Sequence, residues 1–430
     1  MLDMKWIRQH SKAVQEAADR KGIAFSVEEL LQADENRRRL LTRTEEGRQA
    51  RNRLSQDIGR LLQEGRQGEA NAAKAQVKEW NLRLSLLEEQ LQQAEAATRE
   101  LLLRAPNITA PDTPAGASDA DNVAVRHVGS LPEWAFPPRD HMALAELHRL
   151  ANVPRGVKTG GARSYYLTGA GVALHRAVQQ LAMDMLEERG FQWMEVPLLV
   201  RGEALVNTGF FPLGRDQVYQ VEGADSYLVG TSEAPLVSYY AGEIVDVSRP
   251  IRLAASSVCF RSEVGAAGRD VRGLYRVHQF SKVEQVVLCR DEAQESEGLL
   301  QEITANAEEL LRRLELPYRV MAVCAGDMSQ KTYKQYDIET WMPSREAYGE
   351  THSSSNLHDF QARRANIRYR DSDGRLRYCH TLNNTMVATP RILIPLLENH
   401  QEEDGAIRIP AALQPYLNGL AKLVPQGLQP

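Results

Sequence analysis

Between about residues 28 and 104, apolar side chains return at steps of three and four while Glu, Gln and Arg fill the positions between them. Val77, Trp80, Leu84, Leu87, Leu91, Ala94, Thr98 and Leu101 form one such seam; Leu40, Thr44, Gly47, Arg51, Leu54, Ile58 and Leu61 form a weaker one that matches it. Alternating steps of this kind keep one stripe of a helix facing a partner, so each stretch predicts a long helix with a coiled-coil seam. The segment EGRQGEA, residues 64–70, places two glycines between the seams and predicts a tight reversal. Two helices of roughly 35 residues, at about 1.5 Å rise per residue, make an antiparallel hairpin that projects roughly 50 Å.

Residues 104–122, RAPNITAPDTPAGASDADN, are rich in Pro, Ala, Gly and Asp, lack any period, and predict a linker. Beyond them, strand-like runs at SYLVG, VCF, VEQVVLC, YRVMAVC and RYCHTL mix with helical segments without a βαβ rhythm. That pattern predicts an α+β domain on an antiparallel sheet flanked by helices. The expected organisation is a helical domain with its arm over 1–104, a linker over 105–122 and a mixed domain over 123–430.

The stretch CFRSEVGAAGRDVRGLYRVHQF, residues 259–280, reads as a hairpin whose loop carries Gly265, Gly268, Arg269, Asp270 and Gly273. Arg261 and Arg276 stand at its two strand ends. Glycine allows close backbone approach to a ligand, and guanidinium groups fork onto phosphate or carboxylate oxygens. The competing reading is an exposed hairpin with solvated arginines.

Charge narrows the picture. With 52 basic against 57 acidic residues the net charge is −5, so the molecule as a whole does not attract a polyanion and any such site is local. Arg60, Arg66, Lys74 and Lys78, near the arm's tip, offer one, with a spacer or dimerisation role for the arm as the alternative. The N-terminus is charged throughout and no run approaches the roughly 20 apolar residues of a membrane span, so a soluble, unexported chain is expected. Cys259, Cys289, Cys324 and Cys379 form no Cys-x-x-Cys pair and read as reduced buried thiols. The GAGVALHR stretch at 169–176 lacks the remaining glycine spacing and the βαβ context of a dinucleotide loop, and no Walker-type loop is present. The lysines of SQKT and KTYKQY read as surface charges, and the NIT tripeptide at Asn107 as a chance sequon.

The segments TSE (231–233), FRSEVGAAGRDVRGLYRVHQFSKVEQ (260–285), SSSNLHDFQARR (353–364) and LLENHQ (396–401) resemble the signature motifs of class II aminoacyl-tRNA synthetases. With the helical arm, the whole chain is similar to the seryl-tRNA synthetase family, while class I signatures of the HIGH and KMSKS kind are absent. The resemblance implies a cytoplasmic homodimer, with no membrane attachment, whose domain 123–430 is the class II catalytic domain. It implies activation of L-serine with ATP and Mg²⁺ to seryl-adenylate, then transfer of serine to the 3′ end of tRNA(Ser), with tRNA(Sec) as a further acceptor of similar shape. The arm then grips the tRNA by shape and backbone.

The resemblance also assigns residues. Arg261 bridges the serine carboxylate and the α-phosphate, and Arg391 holds the γ-phosphate; these two are the catalytic pair. Ser262 and Glu263 belong to the ATP site, Glu263 receiving the adenine amino group. Phe280 stacks on the ring, Arg276 reaches the terminal phosphates and Val277 lies near the nucleotide. Glu350, Thr351, His352 and Ser353 also meet ATP, with Glu350 and Ser353 holding the metal. Thr231, Ser232 and Glu233 form the loop that takes the serine amino group, Arg261 its carboxylate, and Glu284, Asn383 and Thr385 line the side-chain pocket. Residues 173–200, a helix followed by a strand ending at Pro197, match the dimer-forming motif. The chain departs from the family where LNNTMVATPR puts Asn384, Met386 and Pro390 at often-glycine positions, which is expected to narrow the serine pocket or reshape the start of the following helix. Gly349 stands where a larger basic residue is common. A ligase that charges a carrier protein and an RNA-binding paralogue with a decayed centre are the competing readings; the first has no need of the arm, and intact Arg261, Glu263, Phe280 and Arg391 speak against the second.

Overall fold

The computed structural model describes residues 1–264 and 273–425, and the chain divides into two compact units. Gly265, Gly268, Arg269 and Asp270 of the expected hairpin loop lie outside the described residues.

One unit comprises Leu2–Asp19 and Ala24–Ala105. Its arm is helix α1 (Val27–Gln63), capped by the Ser26 side chain on the Glu29 amide, and helix α2 (Gln67–Arg104). Gly65, at φ +72°, makes the reversal between them. The two seams face each other: Leu40, Thr44 and Leu61 of α1 and Leu84, Leu91, Ala94 and Thr98 of α2 are buried. Gly47 sets the closest approach, since a Cβ there would meet Leu84 Cδ2 at 3.0 Å and Trp80 Cζ3 at 3.2 Å. At the base, Ile7, Val14 and Leu30 are buried, and Asp34 receives Arg8 at 2.6 Å and Arg37 at 2.7 Å. Near the tip, Arg60 pairs with Asp57 at 2.9 Å, and Arg66 with Glu64 and Glu69 at 2.8 and 2.6 Å.

The other unit comprises Met1, Arg20–Ile23 and the chain from Pro106 onward. Its frame is an eight-stranded sheet of β1 (Val123–Val128), β2 (Gln192–Trp193), β3 (Ile251–Phe260), β4 (Gln279–Cys289), β5 (Tyr318–Ala322), β6 (Lys334–Met342), β7 (Ala347–Asn356) and β8 (His380–Thr389). The order is β1-β5-β6-β7-β8-β4-β3-β2, antiparallel throughout except that β2 runs parallel to β3. Helices α3 (Ala170–Glu188) and α4 (Ala293–Arg313) bury Leu174, Val178, Leu300 and Ile303 against Val283, Val287 and Leu382 of the sheet, forming the main core on one face. The other face carries the polar residues described below.

Several expectations change. Strands β6 and β7 are absent from the sequence-based reading because their sequences, KQYDIETWM and AYGETHSSSN, carry polar residues on both faces. Residues 106–116 lie against the large sheet's unit, with the amides of Asn107 and Ala110 donating to Gln330 and Tyr333 and the carbonyls of Pro114 and Gly116 accepting from Ala325 and Gly326. Asn107 is buried and donates to the carbonyls of Lys331 and Leu357, so its side chain anchors the chain and is closed to modification. In GAGVALHR, a Cβ on Gly171 would strike the Leu150 carbonyl at 2.2 Å; the glycine permits tight packing. The four cysteines are free and buried, and burial pushes the Cys379 thiol up to about 12.

Candidate active site

The hairpin strands β3 and β4 pair in register from Ile251↔Leu288 to Phe260↔Gln279, which brings the chain beyond each strand's open end side by side. The Arg261 amide donates to the His278 carbonyl there, and Arg261 and Arg276 both line one cavity with about 830 Å³ of empty space. Strand alternation puts Phe280, Lys282 and Glu284 on the cavity side of β4 while Val283 and Val287 enter the core. The Arg261 guanidinium carbon sits 5.3 Å from the Phe280 ring centroid, and its Nε donates to the Gly230 carbonyl at 3.3 Å. Arg276 forms a 2.8 Å ion pair with Glu263, whose backbone holds φ +52°, a left-handed conformation rare for this residue type.

The opposite wall comes from residues 388–391, just before α5 (Leu393–Asn399), and from β7. Arg391 donates from Nε to the Tyr275 carbonyl at 3.0 Å and from Nη1 to the Glu350 carbonyl at 3.1 Å, and its guanidinium covers the Tyr275 ring at 4.5 Å. Gly349 makes this possible, because a Cβ there would meet Met342 Cε at 2.8 Å and Tyr275 Cε2 at 3.2 Å. Its small size is a packing requirement of this wall.

Glu350 and Ser353 are three residues apart, a spacing that puts strand side chains on opposite faces. Here Ile338 pairs with His352 and Glu339 with Glu350, leaving Thr351 as one extra residue. This bulge turns Glu350 and Ser353 to the same face. Val277, Thr351, His352 and Ser353 line the cavity with them, and burial together with the Arg391 charge lowers His352 to about 3, keeping its imidazole neutral. Beside Ser353 stands Asp337 of β6, which sequence reading missed. It accepts from Gln335 at 2.9 Å, and burial together with the Glu350 charge raises its carboxyl to about 8. The Asp-x-Glu alternation in YDIETW was the available signal, legible only once that segment is known to be a strand.

A second group lies behind the cavity, reached through Thr385 and Lys282, which line it. Lys282 pairs with Glu284 at 2.6 Å, and Thr385 Oγ1 donates to Glu284 at 3.5 Å. Burial raises the Glu284 carboxyl, partly opposed by Lys282. Thr231, Ser232, Glu233 and Asn383 are buried beside it. Asn383 Nδ2 and Gln361 Nε2 both donate to Glu233 Oε1, at 2.9 and 2.6 Å, and the Glu233 amide donates to Thr231 Oγ1 at 3.2 Å. Among the described residues the buried Ser232 hydroxyl has no hydrogen-bond partner.

The Ser262 hydroxyl donates to the Asp216 carbonyl and is not among the side chains lining the cavity. Two expectations are corrected. Asn384 and Met386 do not narrow the serine pocket: Asn384 faces the core side, bonded to Gln285 and Ser354, and Met386 lies in the main core. Lys331 and Lys334 are not free surface charges, since Lys331 pairs with Glu233 and Lys334 with Asp112 and Glu297.

Residues 217–400 match the family described as tRNA synthetase class II core domain (G, H, P, S and T), and an antiparallel sheet with arginines around a cavity is the core of a class II aminoacyl-tRNA synthetase. Residues 1–109 match the Seryl-tRNA synthetase N-terminal domain. The chain is 46% identical to the Serine–tRNA ligase of Deinococcus radiodurans over 97% of this chain and 98% of that protein. The seryl-tRNA synthetase from Pyrococcus horikoshii, solved complexed with ATP, superposes with a TM-score of 0.90 at 37% identity, covering 99% of this chain and 100% of that one. The cytoplasmic Serine-tRNA ligase of Naegleria fowleri, solved with AMP, gives a TM-score of 0.86 at 27% identity, covering 99% of each chain. The chain belongs to the serine–tRNA ligases. It is an enzyme that activates serine and attaches it to tRNA.

Proposed function

We propose that serine activation takes place in the cavity between the β3–β4 hairpin and α5, with ATP in the cavity and L-serine in the buried polar group behind it. The observation that carries this reading is the convergence of Arg261, Arg276 and Arg391 on one cavity whose floor leads, through Thr385 and Lys282, to the buried carboxylates Glu233 and Glu284. Three guanidinium groups around one space suit a triphosphate, and two buried carboxylates suit an ammonium and a hydroxyl.

The serine carboxylate attacks the α-phosphorus, the bond to the β-phosphate oxygen breaks, and pyrophosphate leaves. Arg261, at the meeting point of the two anions, neutralises charge that grows during attack. Phe280 offers its ring face to adenine. Opening of the 2.8 Å Arg276–Glu263 pair frees Arg276 for phosphate and Glu263 for the adenine amino group. Glu233 takes the serine ammonium, Glu284 and Thr385 the hydroxyl, and the buried Ser232 hydroxyl remains a donor for the ligand. A site built to bond a hydroxyl disfavours alanine by about 10⁴ or more.

The residues present fit a divalent cation of the Mg²⁺ kind. Glu350 and Ser353 offer oxygens on one face, and Asp337, whose carboxyl is raised by burial and by the Glu350 charge, stands beside them. When bound, such an ion neutralises phosphate charge and fixes the triphosphate's shape. Further proposals are a homodimer formed through residues 173–200, a cytoplasmic setting, and recognition of tRNA(Ser), and of tRNA(Sec), by the arm. The acidic partners of Arg60 and Arg66 are exposed, so those pairs are weak and phosphate can replace them, alongside Lys74 and Lys78.

Pyrophosphate exchange assayed across the amino acids, followed by charging of serine tRNA, tests the reading. Exchange is expected with serine alone, and it is expected to fall about 10²-fold or more in Arg261→Ala; exchange comparable to wild type in that variant removes this cavity from the reaction.

A further inference from the structure

Lys331 presents its ammonium to both oxygens of Glu233, at 2.6 Å from Oε1 and 2.7 Å from Oε2. Oε1 also receives Gln361 and Asn383, so Lys331 shares one oxygen with two amides and reaches the other by itself. An ammonium therefore already stands where an amino group would bind. Glu233 is buried and Lys331 is largely covered, with side-chain exposures of 5% and 13%.

We infer that Lys331 is a resident counter-ion for the amino-group subsite, occupying Glu233 when the site is empty and giving way to the substrate ammonium. This rests on the reading of Glu233 as the partner of the serine amine. Two further observations support it. The backbone around Lys331 is clamped, because Lys21 Nζ donates to the carbonyls of Ser329, Gln330 and Thr332 and Asn107 Nδ2 to that of Lys331, so the exchange is confined to the side chain. The half-buried Phe210 ring already lies 4.7 Å from Nζ in the paired state, so cation–π attraction can retain the ammonium as it leaves Glu233.

The exchange has a physical rationale. Without a ligand, Glu233 and Glu284 are two buried carboxylates that raise each other's energy, and an unpaired buried charge strongly destabilises a fold. Lys331 and Lys282 compensate them one for one. Serine then replaces one ammonium by another, so the lysine weakens serine's net affinity while keeping Glu233 compensated whenever the subsite is empty.

The test compares serine KM and kcat in pyrophosphate exchange for the full-length enzyme and its Lys331→Met, Lys331→Arg and Glu233→Gln variants. Lys331→Met is expected to lower KM for serine about tenfold with kcat unchanged, and to enlarge the rise in Tm on adding serine. Lys331→Arg, whose fork grips a carboxylate with two bonds, is expected to raise KM. A raised or unchanged KM in Lys331→Met overturns the inference; should that variant fail to fold, an unchanged or lowered KM in Lys331→Arg overturns it. Glu233→Gln separates the two levels: an unchanged serine KM there rejects Glu233 as the amine partner, whereas a raised one keeps that partner, and the two Lys331 variants then decide whether the lysine is its counter-ion.

Discussion

Arg261 holds the Gly230 carbonyl with Nε and lies over Phe280, an arrangement that fixes the guanidinium plane and directs its remaining donors at the cavity. Replacing it by alanine removes charge stabilisation from the reacting centre, and exchange is expected to fall about 10²-fold or more with thermal stability unchanged. Lysine there keeps the charge but loses the fork, so partial recovery is expected. At Gly349 the effect runs through packing: Gly349→Val forces Met342 and Tyr275 apart, and the ATP KM is expected to rise several-fold as Arg391 loses the ring it covers. Arg261 and Arg276 were legible because charges at the ends of apolar strand runs are conspicuous in a sequence, and Phe280 and Arg391 through the resemblance to a known family. Asp337 and Lys331 were not, because each takes its meaning from a neighbour on a distant segment, Ser353 for one and Glu233 for the other.

At the scale of elements, the arm was the most legible part. A seam of alternating threes and fours depends on local helical geometry alone, and α1 and α2 bury most of the residues that define it. Gly47 gives that seam a test. Gly47→Leu drives a side chain into Leu84 and Trp80 and pushes the helices apart at a cost of about 1–3 kcal/mol. Because this change lies in the arm, tRNA charging is expected to fall while serine-dependent exchange stays at the wild-type rate, read in parallel assays. Strands β6 and β7 show the opposite case. Neither face of these strands is uniformly apolar, so period-two reading fails, and the Thr351 bulge that unites Glu350 with Ser353 is a property of pairing.

At the scale of the whole molecule, Lys21 joins a segment near the N-terminus to residues 329–332, where its ammonium meets three backbone carbonyls. Burial, with a smaller contribution from Arg20, lowers this lysine to about 7 from an ordinary 10.5. Below about 7 the lysine is protonated in both states and its contribution to stability is constant; between about 7 and 10.5 the unfolded chain holds a proton that the folded chain has released, so stability rises with pH across that window. Denaturation midpoints of wild type are therefore expected to gain on those of Lys21→Met as pH rises from 7 to 9.5. The amino-acid sequence by itself determined the helical arm, the antiparallel class of the sheet and the arginine-bearing hairpin, because helical period, turn residues and isolated charges act over a few neighbouring positions. Tertiary structure alone decided the shared face of Glu350 and Ser353, the core-side placement of Asn384 and the pairing of Lys331 with Glu233. Those depend on strand register and on contacts between segments as many as 99 positions apart, which no local pattern encodes.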